Sequence, residues 1–324
     1  MSESAVRVSV IIPCFNAGPY LRPAIESVLT QTRPAHEVIV IDDGSTDGSG
    51  DVAASFGSPV KVYRQENSGE SVARNRGMAE ATGDWIALLD ADDIWKPEKL
   101  EEQVIALQWA REKGVEPACV YTDHFRFQGH KIWPPSKREP PDGSANPSLS
   151  VLLYAANLPS ASMFPRELGV RIGFPEFTRI SEDMLFWSEL IAFGTFVRVP
   201  RALAGYRVSS SQQTKNPHHD IASLEVRYQF AKSSSHLFSE NDLQQLRSKL
   251  SRLANLHRLS AFASGHDDVV VRADDFIAGI GGRKYPLAVP GTRKSWKLVI
   301  GFAQSLIQQA PETYRRMRSL IVGS

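Results

Sequence analysis

Cysteine is nearly absent from this chain of 324 residues: only Cys14 and Cys119 occur, which excludes a disulfide framework and suits a reducing compartment. Long apolar runs are missing too. No stretch reaches the roughly 18 residues that a spanning helix needs. Met1-Ser2-Glu3-Ser4 leads into a strand-like segment, not into the basic and then apolar regions of a secretory signal, so a cytoplasmic protein is expected. Neither sign of charge dominates, with 37 Lys and Arg against 36 Asp and Glu, and no global field draws the chain to nucleic acid. The G-x-G-x-x-G fingerprint and the Walker A loop are both missing after the first apolar run. Any phosphate chemistry must therefore rest on side chains and metal instead of a glycine cradle.

What is present is an alternation of short apolar strands and amphipathic helices. Val6 to Ile12, Val38 to Ile41, Val60 to Tyr63 and Trp85 to Leu89 read as buried strands, apolar on both faces as parallel strands are. Helical spacing separates them: Leu21, Ile25, Val28 and Leu29; a short stretch ending near Phe56; Ser71 to Ala81; then Leu100, Val104 and Leu107. Cys119 to Tyr121 reads as a fifth strand. The pattern predicts an α/β fold with a mostly parallel sheet flanked by helices. From Gly129 to Pro147 five prolines and scattered charges predict a loop or lid. A helix capped by Ser181 follows, with Met184, Trp187, Leu190 and Ile191 on its apolar face. Beyond about Asn216 the chain turns helical, Ser239 with Asp242 marking one start and Leu243, Leu246, Leu250, Leu253 and Leu256 continuing it. Three regions are expected: 1–125, 126–215, and a helical C-terminal part over 216–324.

Three of the strands end in polar clusters: Pro13-Cys14-Phe15-Asn16, Asp42-Asp43-Gly44-Ser45 and Asp90-Ala91-Asp92-Asp93. In an open α/β sheet such ends converge on one crevice, where ligands bind. The last cluster gathers three carboxylates within four residues, a charge density that favours a divalent cation chelated by a diphosphate. Val8-Ser9-Val10-Ile11-Ile12-Pro13 with Asn16, Gln31-Thr32, Val40-Ile41-Asp42-Asp43-Gly44-Ser45-Thr46-Asp47, Asn67-Ser68-Gly69, Ala73-Arg74-Asn75-Arg76-Gly77 and Leu89-Asp90-Ala91-Asp92-Asp93 follow one another in an order that resembles the opening of family 2 glycosyltransferases. The resemblance covers roughly the first 125 residues. It implies the GT-A fold, a nucleotide-diphosphate sugar donor (UDP-linked by preference), Mg²⁺ or Mn²⁺, and inversion at the anomeric carbon.

By that resemblance Asp43 reads a uracil-type base beside Pro13 and Phe15, with Asn16 at the same strand end. Arg74 offers its fork to a phosphate or base carbonyl, Asp90 approaches the ribose, and Asp92 ligates the metal. Asp42 is expected to serve a turn, Arg76 to be solvated or salt-bridged, Asp93 to cap the helix near Pro97, and Cys14 to be a small buried residue. Inverting transfer also needs a general base. Ser181-Glu182-Asp183-Met184 resembles the family's Glu-Asp motif, which makes Asp183 the base and Glu182 its support. Trp187, one turn on, suits either a sugar face or the core.

One departure stands out: Tyr206-Arg207-Val208-Ser209 has serine where many members carry a histidine, with His218 or His219 as substitutes. Near the C-terminus, Trp296 to Ile307 is followed by Tyr314-Arg315-Arg316-Met317-Arg318. That combination suits either peripheral contact with an anionic membrane, as for a lipid-linked acceptor, or a helix packed on the domain. A saccharide acceptor is the other expectation, within cell-surface polysaccharide or glycolipid synthesis. A non-catalytic nucleotide-sugar-binding protein and a sugar nucleotidyltransferase are the alternatives; the latter lacks its usual Gly-rich basic loop here.

Overall fold

The computed structural model describes residues 6–133, 146–154, 159–208 and 217–284, which fall in two compact units. The first, Met1–Gln212 with Ser234–Phe238, carries β1 (Val8–Cys14), α1 (Leu21–Leu29), β2 (Glu37–Asp42), α2 (Ser49–Ala54), β3 (Val60–Arg64), α3 (Glu70–Glu80), β4 (Trp85–Leu88), β5 (Ile94–Trp95) and α4 (Lys99–Glu112). It continues with β6 (Pro117–Gln128), β7 (Lys131–Trp133), α5 (Pro147–Tyr154), β8 (Ser162–Pro165), α6 (Arg166–Ile172), α7 (Glu182–Leu190) and β9 (Thr195–Arg207). Strand order in the sheet is β3-β2-β1-β4-β8-β6-β9-β5, with β7 paired to β6.

The first four strands in that order run parallel, as successive β-helix-β crossovers require. Past β4 the sheet is mixed: β8 is antiparallel to β4 and β6, β6 and β9 form a long bulged parallel ladder, and β5 closes antiparallel to β9. Every residue of β1 and β2 is buried, because helices cover both faces of this part of the sheet. Val10, Ile12, Leu21, Ile25 and Val28 pack on one side, while Ile11, Ile39, Ile41, Phe164, Phe186 and Trp187 pack on the other. Leu100, Val104 and Leu107 are buried on α4, as their spacing predicts. Within the proline-rich stretch β7 pairs back on β6 from Lys131 to Trp133; residues 134–145 lie outside the described residues.

The second unit, Gln213–Ser233 with Ser239–Ser324, carries α8 (Pro217–Ser233), α9 (Glu240–Ser264) and α10 (Asp267–Gly279). A reciprocal capping box opens α9: Ser239 Oγ accepts from the Asp242 N–H and the Asp242 carboxylate accepts from the Ser239 N–H. Leu243, Leu246 and Leu250 are buried along it. His218 pairs with Asp268 of α10 at 3.2 Å. The apolar and basic segment from Trp296 to Arg318 lies outside the described residues, as does Ser209. Among the described residues no helix is long and apolar enough to cross a membrane.

Candidate active site

Because β1, β2 and β4 are parallel neighbours, their C-terminal ends meet on one edge of the sheet. The Asp43 N–H donates to the Cys14 carbonyl at 2.8 Å and the Leu89 N–H to the Ile11 carbonyl at 3.0 Å, so the three polar clusters stand side by side. Pro13 and Cys14 are buried, while Phe15 projects with 52% of its surface exposed. Asn16 adopts a left-handed conformation, φ +48, which Asn tolerates better than most residues. Its Oδ1 accepts from the Thr46 N–H at 2.8 Å and its own N–H donates to Ser45 Oγ at 3.0 Å, stitching the loop after β1 to the loop after β2. Asp42 serves a turn, as expected: its Oδ1 accepts from the Ser45 N–H at 2.9 Å. Asp43 Oδ1 accepts from Gln65 Nε2 at 2.7 Å and the Ser68 N–H at 2.9 Å, and its Oδ2 from the Gly69 N–H at 2.8 Å. A carboxylate offers about four acceptor sites, so three donors leave about one for a ligand.

Arg74 stands elsewhere than the sequence suggested. Its side chain is only 2% exposed and faces carboxylates instead of open cleft. Nη2 donates to Glu70 Oε1 and to Asp90 Oδ1 at 3.0 Å, and Nη1 reaches Glu182 Oε1 at 3.5 Å. Its Cζ lies 5.0 Å over the Phe174 ring, and Nε is buried without a hydrogen-bond partner. Burial works against its charge, but Glu70, Asp90, Glu182 and Asp183 outweigh that and keep it protonated. Arg74 therefore joins the end of β4 to the start of α7, bringing the acid cluster and the Glu-Asp pair together. Burial and Asp183 push the Glu182 carboxyl up, against the pull of Arg74. Glu70 is half-exposed, yet desolvation at the cleft wall, with Asp90, Glu182 and Asp183, raises its carboxyl too, against the pull of Arg74. Asp183 occupies the first turn of α7, with Oδ1 accepting from the Met184 N–H at 2.8 Å. Ser181 precedes the helix in a left-handed conformation, φ +60, and its side chain makes no capping bond, unlike the expected cap.

The three acids after β4 separate. Asp90 takes Arg74 on its side chain, and its N–H donates to Ser160 Oγ at 3.1 Å. Asp93 is buried and structural, though not as a helix cap: Oδ1 accepts from the Arg207 N–H at 2.9 Å and Oδ2 from Ser160 Oγ at 2.7 Å. Two-residue β5 pairs with β9 immediately afterwards, which draws Asp93 to the end of β9 and away from Pro97. Asp92 is half-buried; burial and then the charge of Asp90 raise its carboxyl, and Arg207 opposes the rise. Among the described residues no group of three or more His, Cys, Asp or Glu is placed to hold an ion. Asp90 and Asp92 nonetheless fit half of such a site: they are hard oxygen donors, of the kind Mg²⁺ takes along with substrate phosphates. Burial and the Asp90 charge both disfavour an ionised Asp92, and a cation bound there would favour it.

A family model, "Glycosyl transferase family 2", matches residues 9–166. The chain is 32% identical over 226 residues to a Bacillus subtilis protein named as a teichuronic acid biosynthesis glycosyltransferase, TuaG, spanning 64% of this chain and 82% of that one. The chain belongs to glycosyl transferase family 2. The GT-A fold follows from its structural likenesses. S. aureus TarS (residues 1–349, in complex with UDP-GlcNAc) matches with a TM-score of 0.62 at 18% identity over 96% of this chain and 92% of that one; against a longer TarS chain the coverage falls to 54%. The mannosyltransferase PcManGT of Pyrobaculum calidifontis, in complex with GDP-Man and Mn²⁺, matches with a TM-score of 0.58 at 17% identity over 98% and 85%.

In this glycosyltransferase Trp187 is wholly buried, at 0% exposure. It packs edge-on against Phe164, Phe174, Phe186 and Phe196, so it shapes the core under α7, the second of the two roles its sequence position suits. Arg76 ties α3 to β3, donating from Nη1 to the Arg64 carbonyl at 2.8 Å. The Gln31-Thr32 pair is likewise structural: Gln31 Nε2 donates to the Lys96 carbonyl and Oε1 accepts from the Leu100 N–H. The fold adds Gln65 on Asp43 and Ser160 between Asp90 and Asp93, and gives Arg207 a role of its own. The Arg207 Nε donates to the Asp92 carbonyl, with its Cζ 4.5 Å over Tyr20 and 4.4 Å over Phe127. Only Arg207 carried a signal in sequence, inside Tyr206-Arg207-Val208-Ser209; the others come from distant segments.

Proposed function

We propose that this enzyme transfers a sugar, with inversion, from a nucleotide-diphosphate sugar (UDP-linked) to a hydroxyl acceptor in the synthesis of a cell-surface polysaccharide or glycolipid. The observation that carries the reading is the bridge through Arg74, which brings the acids after β4 and the Glu182-Asp183 pair of α7 to one place. Donor-side and acceptor-side chemistry need that proximity, since attack and departure occur at one carbon. TarS with UDP-GlcNAc and PcManGT with GDP-Man and Mn²⁺ support a nucleotide-sugar donor and a divalent ion; the name of TuaG, with its teichuronic acid biosynthesis, supports a polysaccharide as the class of product.

In this reading Asp43 accepts the base N–H on its remaining lone pair while Phe15 flanks the ring. Asp90 lies toward the ribose, and Asp90 and Asp92 hold the ion, which neutralises charge on the departing diphosphate when bound. Asp183 accepts the acceptor hydroxyl proton as the oxygen attacks opposite the leaving group. Glu182 is anchored by Arg74 and fixes the first turn of α7. The C-terminal segment meets the membrane when the acceptor is lipid-linked. A panel of UDP-, GDP- and dTDP-sugars, scored for nucleotide release and for ion-dependent protection from unfolding, tests the reading. Release from a UDP-sugar with Mg²⁺ or Mn²⁺ is the expected result; no binding by any nucleotide sugar in the presence of either ion refutes it.

A further inference from the structure

Arg179 is the cation at this cleft that the acids do not claim. Among the described residues its side chain makes no ion pair and no hydrogen bond, although Glu182 and Asp183 follow it by three and four positions. It is exposed. Its place is nevertheless defined: a Cβ built on Gly69 would lie 3.2 Å from Nε, 3.4 Å from Cζ and 3.5 Å from Nη2 of Arg179. Three such similar distances mean that the guanidinium lies flat over Gly69. Gly69 has φ +97 and no side chain to push it away. The Gly69 N–H is one of the three donors that hold Asp43. The loop before α7 thus reaches across to the residue beside the base-reading carboxylate and presents a planar cation there.

A guanidinium left without a counter-ion among so many carboxylates has its donors and its face free for a ligand. Its plane suits stacking on an aromatic ring and its fork suits a carbonyl oxygen; a pyrimidine offers both. We propose that Arg179 is a donor-recognition residue that closes over the nucleoside end of the bound nucleotide from the acceptor-side loop. Donor binding then draws the loop that leads into Asp183 toward the base. The inference rests on the UDP-sugar reading above and adds a contact from the second half of the fold to it.

The test is calorimetric binding of UDP and of uridine, each with Mn²⁺, to the wild-type enzyme and to Arg179→Ala and Arg179→Lys. Arg179→Ala is expected to weaken UDP and uridine by the same factor, about tenfold. Arg179→Lys, which keeps the charge but loses the plane, is expected to recover less than about threefold of that. Unfolding midpoints without ligand should match the wild type, since Arg179 has no partner to lose. Equal affinities in all three proteins overturn the inference and leave the donor reading standing. Loss for UDP without loss for uridine also overturns it, because the contact is then to the diphosphate. Failure of the wild type to bind UDP overturns the donor reading and this inference together.

Discussion

Replacing Arg74 with alanine removes the cation shared by Glu70, Asp90 and Glu182 and leaves their carboxylates facing one another. Breaking a buried ion network from one side costs about 3–5 kcal/mol, much of it the penalty of the stranded charge. Glu70 is half-exposed and Asp90 partly so, and water reaching them places the expected loss near the lower end, about 3 kcal/mol. Arg74→Met separates charge from volume: it fills the space, so its loss should lie within about 1 kcal/mol of that for Arg74→Ala. The pH dependence follows from the sign of the shifts. Glu70 and Glu182 already have raised pKa values in the folded enzyme, and removing Arg74 raises them further. A carboxyl raised on folding favours the fold below its unfolded value, about 4.3, and that advantage is lost as pH rises through the folded value. The penalty of either variant should therefore grow from pH 5 to pH 8. Urea unfolding followed by tryptophan fluorescence measures this in the first unit, which holds five of the six tryptophans. A loss under about 1 kcal/mol, recovery of wild-type stability by Arg74→Met, or a penalty flat with pH would refute the reasoning.

Asp183→Asn should lower kcat by about 10²–10⁴ while UDP affinity stays within about twofold; wild-type turnover would remove Asp183 from the base role. Trp187→Phe trades ring volume in the core against relief of an indole N–H buried without a partner, so unfolding should cost only about 1 kcal/mol. Its donor KM should be unchanged, and a shift above about threefold would restore a site role. Glu37 is buried, which alone would raise its pKa, but Lys61 at 2.7 Å, the Thr82 N–H and the Ser9 and Thr82 hydroxyls outweigh that and hold it at about 2. The stabilisation, about 2 kcal/mol after solvent screening of half-exposed Lys61, is present above about pH 4.3 and lost as pH falls through about 2. Glu37→Gln should be weaker at pH 7 and converge with the wild type at the acid end, as acid unfolding curves would report; parallel curves would count against it.

The parallel half of the sheet was legible because burial on both faces leaves continuous apolar runs in β1, β2 and β4, broken only by Ser9 within β1 and by Glu37 and Asp42 at the two ends of β2, and each run stops at a turn. The other half hid for the opposite reason. In β6, Asp123, His124 and Arg126 interrupt the apolar pattern, so only Cys119 to Tyr121 reads as strand, although the ladder runs to Gln128. β9 contains Arg198, Pro200, Arg201 and Gly205, composition that argues against a strand, yet β6 and β5 pair with it along its length. β5 is two residues long and leaves no periodicity to detect. The site divides along the same line. Asp43, Asp90 and Asp92 are announced by the strands they follow, whereas the partners that fix their geometry (Gln65, Ser160, the Gly69 N–H) are placed only by the fold. For Arg74 the sequence shows an arginine after β3, a fork suited to a phosphate or a base carbonyl, and cannot show that Glu70, Asp90 and Glu182 converge on it.

That convergence also assigns different work to neighbouring acids. Carboxyl groups gather around the strand ends and the starts of α3 and α7, among them Asp43, Glu70, Asp90, Asp92, Asp93, Glu182 and Asp183. Asp43 is satisfied by peptide N–H groups and an amide, and Asp93 by a hydroxyl and a peptide N–H, so neither draws on an arginine side chain. Arg74 is shared by Glu70, Asp90 and Glu182, while Arg207 spends its Nε on the Asp92 backbone carbonyl and its face on two rings. Burial and the neighbouring Asp90 charge leave the Asp92 carboxyl raised, with Arg207 opposing the rise. Arg179 is left uncommitted over Gly69. On the proposed reading an anionic donor that arrives with a divalent ion would answer both at once, the ion at Asp92 and the nucleotide at Arg179. On that reading ion and nucleotide should therefore bind together more tightly than either alone, which titration of UDP with and without Mn²⁺ checks; equal UDP affinity in both would count against it.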